Sequence, residues 1–240
     1  MFSQLATVIH QLVESDDSAL AARWYRACIK LINPDQRADA SQVEEAVIQR
    51  KREVLIQGFG RAKGLLDAAL EWREPRIGKN NEDVLASVRN AFWRYVMAYS
   101  GWELLAKSVL WDGKAARSAI HPAFDKLHDS DSRLQPLYAN RAQAPAKLVQ
   151  WLNDDAAKER FLPTFLGLNK QLSSFPRWLV NENHTLTEQQ VLGAMRHTVA
   201  HGALSPTKAV QWGLERFYDK GPNRLELLTC RLMDELTQAL

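Results

Sequence analysis

The side chains best suited to chemistry lie close together near the end of one predicted helix. Arg196, His197 and His201 all fall within the sequence RHTVAHG. A histidine exchanges a proton near neutral pH, and an arginine fork can hold an anion such as a phosphate. These residue types at this spacing can therefore support acid–base chemistry beside an anionic group.

The segment that carries these residues has clear signals for the two ends of a helix. Thr187 and Gln190 form a capping box, which satisfies free backbone N–H groups at a helix start. Gly202 supplies a stop, since glycine readily adopts the left-handed conformation that closes a last turn. Ser205 and Pro206 then open another helix. The chemical residues are thus predicted to lie in the closing turns of a helix, just before a tight connection.

A helical projection separates the polar side chains of this segment from its apolar ones. Gln190, His197 and His201 project from one side, and Arg196 lies on the flank, about 140° from His201. The opposite side is predicted to be buried, and it contains Val191, Leu192, Met195, Thr198 and Val199. The projection predicts that the histidines face away from the core and are free to face a partner.

Other chemistries have weaker support in the sequence. Histidines in a last turn also interact favourably with the helix dipole, so a purely capping role stays open. The helix lacks the glutamate of the zinc-protease pattern, and no third metal ligand is identifiable, so no metal or other cofactor is expected. No nucleophile elbow is present. His121 and His128 have no partners at a ligand spacing and are expected to be surface or capping residues.

Composition places the chain among ordinary globular proteins. It has 240 residues, 46% of them hydrophobic and 25% charged, with a net charge of +3. This composition excludes disordered and fibrous classes, and the mild positive charge permits contact with nucleic acid without requiring it. Cys28 and Cys230 are too few and too far apart for a disulfide framework. No apolar run approaches a membrane-spanning length and no export signal is recognisable, so the expected location is the cytoplasm, away from membranes.

Hydrophobic periodicity predicts an all-α fold, a multi-helix bundle with long antiparallel helices. The strongest predicted helix runs from Asp83 to Trp111, where it can serve as a scaffold, and Glu103 and Lys107 form an expected surface ion pair on it. Two helices, Ala209 to Tyr218 and Arg224 to Leu240, are expected to close the chain, split by Lys220-Gly221-Pro222-Asn223. A polar connector from Glu74 to Asn81 is the predicted domain boundary. Residues 1–80 would form an N-terminal helical extension, separate or packed within the same domain, and residues 81–240 a helical domain.

The segment GFGRAKG and the basic stretch around it each allow two structural interpretations. Within GFGRAKG, Gly58, Gly60 and Gly64 approach a phosphate-binding loop pattern, but no alternation of strands and helices surrounds them, so a kinked or broken helix is preferred. The surrounding stretch is the most basic in the chain. It is predicted to be a solvated face, with a phosphate track as the alternative; its members are Arg50, Lys51, Arg52, Arg61 and Lys63.

The segment RHTVAHG resembles the hallmark of the HEPN superfamily of all-helical domains. That hallmark is an arginine separated by four to six residues from a histidine, often with a polar residue after the arginine. Four residues separate Arg196 from His201, and His197 fills the polar position, where asparagine is commoner. The sequence YSGWELLAKSVL in the long upstream helix also looks like the paired scaffold helix of the family. The resemblance covers residues 83–240, so residues 1–80 would be an extension of a HEPN-like core.

The resemblance implies a homodimer that brings two arginine–histidine pairs into one cleft and cuts RNA without a metal, as a toxin or defence component. It implies that His201 is the acid or base, Arg196 the phosphate clamp and His197 an auxiliary group. Supporting positions beside the site would be Tyr99, Glu103 and Lys107. A non-catalytic HEPN-like module is the alternative, binding RNA, a nucleotide or a partner such as a nucleotidyltransferase or antitoxin. A helical interaction protein, whose histidines only cap a helix, is the third interpretation.

Overall fold

The described parts of the chain are mostly helical and contain no strand, which confirms the predicted all-α, multi-helix fold class. The computed structural model describes residues 3–14, 18–33, 43–73, 83–112, 121–129, 146, 150, 175–179, 186–200, 202 and 204–240. The helices of these ranges are α1 (Ser3–Glu14), α2 (Ser18–Ile32), α3 (Glu45–Glu71), α4 (Asp83–Leu110), a 3₁₀ turn (Pro122–Phe124), α5 (Asp125–Asp129), α6 (Phe175–Leu179), α7 (Glu188–Ala200), α8 (Pro206–Gln211) and α9 (Glu215–Gln238).

Helix α4 is the scaffold that the apolar stripe predicts. It ends one residue earlier than predicted, at Leu110, and packs against α3, α7, α8 and α9. Its inward face is wide because the helix has neighbours on several sides. The largest of its buried side chains are Phe92, Tyr95, Tyr99, Trp102 and Leu105.

Helix α3 passes through all three glycines of GFGRAKG without interruption. A phosphate-binding loop and a break in the helix are therefore both wrong for this segment. Gly58 permits close packing, since a Cβ there would overlap the side chain of Ser108 on α4. A Cβ at Gly60 or Gly64 would meet nothing within 4 Å. Only the first of the three glycines thus has a packing role, which is to bring α3 against α4.

Helix α9 corrects the prediction of two closing helices. It is one helix from Glu215 to Gln238 and contains Gly221 and Pro222 in its interior. Proline removes one helical hydrogen bond, but both residues are buried, and Gly221 lies against the ring of Tyr95 on α4. Packing of this face against α4 compensates for the local cost, so a sequence that signals a break is held as a helix.

The N-terminal helices join the same apolar core as the rest of the chain. Leu5 and Trp24 belong to one cluster of buried residues with Trp102 on α4 and Leu228 on α9. Helices α1 and α2 both pack against α3. The predicted domain boundary between Glu74 and Asn81 lies outside the described residues.

Candidate functional site

Helix α7 carries the candidate motif, and its first turn is capped as predicted. The Thr187 N–H donates to Oε1 of Gln190 at 2.9 Å, and the Gln190 N–H donates to Oγ1 of Thr187 at 3.3 Å. This reciprocal pair is the capping box that the sequence predicts. It fixes where α7 begins, and therefore which turn the chemical residues occupy.

The end of α7 is closed by Gly202, also as predicted. Gly202 has φ of 69°, a conformation that favours glycine. Its N–H donates to the carbonyl of Val199 at 3.0 Å, and the Leu204 N–H donates to the carbonyl of Thr198 at 2.9 Å. These two bonds fold the chain back immediately after the motif.

Helix α8 follows at once, and its cap is also the predicted one. Ser205 accepts a hydrogen bond from the Lys208 N–H at 3.2 Å, and Pro206 is the first helical residue. The motif therefore lies at a tight junction between two helices, both of which pack against α4.

Helix α7 is more enclosed than its projection predicts. Val191, Leu192, Met195 and Thr198 are buried as expected, but so is every other residue from Gln189 to Met195. The prediction that the polar side faces away from the core is therefore wrong for Gln190. His197 is half-buried. Neighbouring elements cover the helix on more than one side.

Gln189 shows what covers the start of α7. Its side-chain amide donates to the carbonyl of His121 at 3.1 Å and to Oδ1 of Asp125 at 2.7 Å, and its Oε1 accepts from the His121 N–H at 3.0 Å. The amide thus joins α7 to the turn that precedes α5. His121 also accepts from the Ala123 N–H at 3.1 Å through Nδ1, so it is the capping residue that the sequence predicts.

Arg196 lies near Tyr99, one of the supporting positions on α4 that the family resemblance implies. Burial raises the pKa of Tyr99 and the charge of Glu103 raises it further, whereas the nearby Arg196 guanidinium acts in the opposite direction. Glu103 also pairs with Lys107 at 2.9 Å. Tyr99, Glu103 and Lys107 thus lie on successive turns of α4, and the charge of Arg196 is close enough to Tyr99 to affect its pKa.

Arg196 is half-buried, and no hydrogen bond or ion pair of its guanidinium is seen within the described residues. Its Nε atom is buried and has no hydrogen-bond partner within the described residues. Two other half-buried arginines have such partners: Nε of Arg52 donates to the Leu12 carbonyl at 2.8 Å, and Nε of Arg94 donates to the Ala69 carbonyl at 3.0 Å. Nε of Arg231 has none in the described residues, but the Arg231 guanidinium lies 3.9 Å from Glu235. Because buried polar atoms are normally hydrogen-bonded, the position of Arg196 is chemically suited to an external anion.

The two histidines of the motif occupy different positions relative to α7: His197 is part of the helix, and His201 follows its last residue in the sequence. His197 is half-buried on α7, with its Nδ1 atom enclosed. His201 lies outside the described residues, between Ala200, where α7 ends, and Gly202. The structure thus locates the arginine of the motif and the turn that follows the second histidine.

Three buried contacts that hold α7 are not evident in the sequence. Tyr95 on α4 donates to the carbonyl of Leu192 at 2.7 Å. On α9, Arg224 forms an ion pair with Glu188, and the hydroxyl of Tyr218 lies 2.7 Å from that of Thr198. The only sequence signal for any of them is the acidic residue in the first turn of α7, which the helix dipole favours.

One member of the basic stretch of α3 is enclosed by the fold. Lys51 is fully buried and donates to the carbonyls of Ser108, Val109 and Trp111 at 2.9, 2.8 and 2.6 Å. It therefore caps the C-terminal end of α4, and the prediction of a solvated face is wrong for this residue.

Two other cations of this stretch form local ion pairs. Arg50 pairs with Glu53 and Lys63 with Asp67, each at 2.6 Å. Arg52 bonds to a carbonyl near the end of α1. For Arg61, which is exposed, no internal bond is seen in the described residues. The alternative of a phosphate track along α3 therefore has little support.

Metal and disulfide chemistry have no support in the described parts of the chain. No group of three potential ligands among His, Cys, Asp and Glu occurs there. Cys28 and Cys230 are both free thiols. Within the same ranges, no helix is both long and apolar enough to span a membrane.

Neither a protein-family model, a curated protein nor a solved structure matches this chain.

Proposed function

We propose that this protein is a metal-independent endoribonuclease of the HEPN type, with Arg196 and His201 as its catalytic residues. The observation that carries the proposal is the environment of Arg196. Arg196 is half-buried near Tyr99, and its Nε is enclosed without a hydrogen bond in the described residues. A phosphate oxygen would supply the missing acceptor.

The backbone that presents Arg196 is held firmly. The carbonyl of Leu192, which lies four residues earlier and accepts the helical N–H of Arg196, also accepts the hydroxyl hydrogen of Tyr95 at 2.7 Å. Gly202 closes the next turn through its bond to Val199. Stabilisation of a charged transition state requires hydrogen-bond donors that are held in place beforehand. Arg196 meets this requirement, because its backbone is fixed and its Nε–H has no acceptor in the described residues.

In the proposed reaction, His201 accepts the proton of the ribose 2′-hydroxyl. The 2′-oxygen then attacks the phosphorus, forming a cyclic phosphate, and the bond to the 5′-oxygen breaks. Arg196 stabilises the negative charge that develops on the phosphoryl oxygens. The leaving 5′-oxygen takes a proton from an imidazolium. RNA is thus the substrate, and the step needs no oxidant, metal or cofactor.

One chain supplies a single arginine–histidine pair, and acid–base catalysis needs both a proton acceptor and a proton donor. We propose that a second copy supplies the other pair across a two-fold interface. In a toxin or defence setting, an antitoxin or nucleotidyltransferase would be the partner that keeps this activity in check.

The decisive experiment is cleavage of a labelled single-stranded RNA in excess EDTA. We expect cleavage with 2′,3′-cyclic phosphate ends, and loss of at least about 100-fold in rate for Arg196→Ala and His201→Ala. Arg23→Ala and His10→Ala are matched controls, since both residues are exposed, and they should keep full activity. Cleavage that survives both motif substitutions, or that EDTA abolishes, contradicts the proposal.

The composite site has its own test. Light scattering at micromolar concentration should give the mass of a dimer in the absence of RNA. Mixing inactive Arg196→Ala with inactive His201→Ala should restore part of the activity if residues from two chains cooperate in one cleft. A strict monomer that cleaves RNA would refute the two-chain site and leave the single-chain chemistry standing.

A further inference from the structure

The end of α7 is attached to α9 by one buried contact between hydroxyl groups. Tyr218 is fully buried, and its hydroxyl oxygen lies 2.7 Å from Oγ1 of Thr198. Edge-on ring contacts surround it, with ring centroids 4.8 Å from Phe92 and 5.6 Å from Tyr95. The tyrosine ring therefore has little freedom to move, and its hydroxyl is a fixed point on α9.

The direction of this hydrogen bond follows from the other bond that Thr198 makes. Oγ1 of Thr198 donates its hydrogen to the carbonyl of Met195 at 2.8 Å. A hydroxyl has one hydrogen to give, so Tyr218 must be the donor in the contact between the two side chains. Burial raises the pKa of Tyr218, which keeps this donor protonated.

Thr198 connects this contact to the turn after the motif. Its side chain bonds to Tyr218 and to the carbonyl of Met195, the residue directly before Arg196. Its own carbonyl accepts the Leu204 N–H at 2.9 Å. Displacing Thr198 would therefore move the backbone on both sides of it, including the turn that Gly202 closes.

We propose that Tyr218 is a positioning residue, which holds the backbone next to Arg196 in place through its hydrogen bond to Thr198. This inference rests on the proposed ribonuclease function and extends it to α9. Tyr218 touches neither substrate nor reacting atoms; it acts through Thr198 and the backbone groups bonded to it, at Met195 and Leu204. Small displacements of catalytic groups reduce turnover more than substrate binding, because alignment matters most in the transition state.

The test is Tyr218→Phe, which removes the hydroxyl and keeps the ring. We expect kcat to fall about tenfold, with KM within about twofold of the wild-type value. Thr198→Val should give the same loss, and the double variant should be no worse than either single one. Thr229→Val is a matched control: Thr229 is equally buried and donates to the carbonyl of Leu225 at 2.8 Å, but it lies on α9 away from the motif turn. It should leave kcat unchanged.

Amide hydrogen exchange separates this inference from the function on which it rests. In Tyr218→Phe, exchange of the Leu204 amide should accelerate about fivefold, as expected for loss of one buried hydrogen bond, and Thr229→Val should have no effect. Unchanged Leu204 exchange overturns the inference, whether or not the wild-type protein cleaves RNA. Faster Leu204 exchange with an undiminished kcat also overturns the inference. If exchange is faster but the wild-type protein never cleaves RNA, only the proposed ribonuclease function is rejected.

Discussion

Lys51→Met should be one of the most destabilising conservative substitutions in the chain. Lys51 is fully buried, and its ammonium group donates to three carbonyls at the end of α4. A helix leaves its last four carbonyls without helical partners. Two of those in α4, from Ser108 and Val109, depend on this ammonium group. Methionine fills a similar volume but donates no hydrogen.

The magnitude follows from which carbonyls lose their partner. Two of the three bonds are buried, and the bond to Trp111 is partly exposed, where water can replace the donor. An unsatisfied buried acceptor costs about 1–3 kcal/mol. Relief of the desolvation that lowers the pKa of Lys51 offsets part of this cost. We expect a net loss of about 3 kcal/mol in the free energy of unfolding, or roughly 6–12 °C in Tm for a chain of this size.

Urea unfolding followed by circular dichroism measures this loss, with Lys63→Met as the control. Lys63 lies on the same helix, but its ion pair with Asp67 is partly exposed, so its loss should cost under about 1 kcal/mol. If Lys51→Met unfolds within about 0.5 kcal/mol of the wild-type protein, the ammonium group does not cap α4 and the reasoning is refuted.

Two further predictions concern α9. Gly221→Ala should destabilise the protein by about 1–3 kcal/mol, because the added methyl group overlaps the ring of Tyr95. Gly60→Ala on α3 is the control; its methyl group meets no neighbour, so the change should be neutral or slightly stabilising. Thermal unfolding of both variants checks this, and equal Tm values would contradict the packing at Gly221. Stability should also fall as pH rises above about 10, since burial raises the pKa of Tyr218 and the unfolded chain loses that proton first. Tyr218→Phe should reduce this slope by about 1.4 kcal/mol per pH unit in urea titrations, and an unchanged slope would show that Tyr218 does not titrate on unfolding.

Features of α7 that depend on neighbours in sequence could be predicted from the sequence. The capping box of Thr187 and Gln190 and the closing turn at Gly202 are formed as the residue types require. The scaffold helix α4 could be predicted for the same reason, because apolar residues repeat at helical spacing over 28 residues and few other structures have that pattern. Local signals thus fixed the helix that carries the motif and the helix that supports it.

Features that depend on distant residues could not be predicted in this way. Gly221 and Pro222 signal a break, but packing against Tyr95 keeps α9 continuous. Lys51 belongs to a run of charges that suggests a solvated surface, and its carbonyl partners lie about 60 residues later in the chain. Charge patterns alone do not reveal which cations are enclosed by the fold.

The bonds that each enclosed arginine makes within the fold indicate which of them can bind an RNA phosphate. Arg52 and Arg94 give their Nε hydrogens to helix carbonyls, and Arg224 is enclosed in an ion pair with Glu188. These three hold helices together, and an RNA phosphate could reach them only by breaking the bonds that they make. Arg196 is half-buried like Arg52 and Arg94, but its Nε has no acceptor in the described residues. Nε of Arg231 on α9 is also buried without a hydrogen bond in those residues, but its guanidinium lies 3.9 Å from the carboxylate of Glu235. No such ion pair of Arg196 is seen in the described residues, so we expect Arg196 to be the arginine that binds the proposed ligand. The bonds that Tyr95 and Tyr218 make to α7 hold the backbone around it in place.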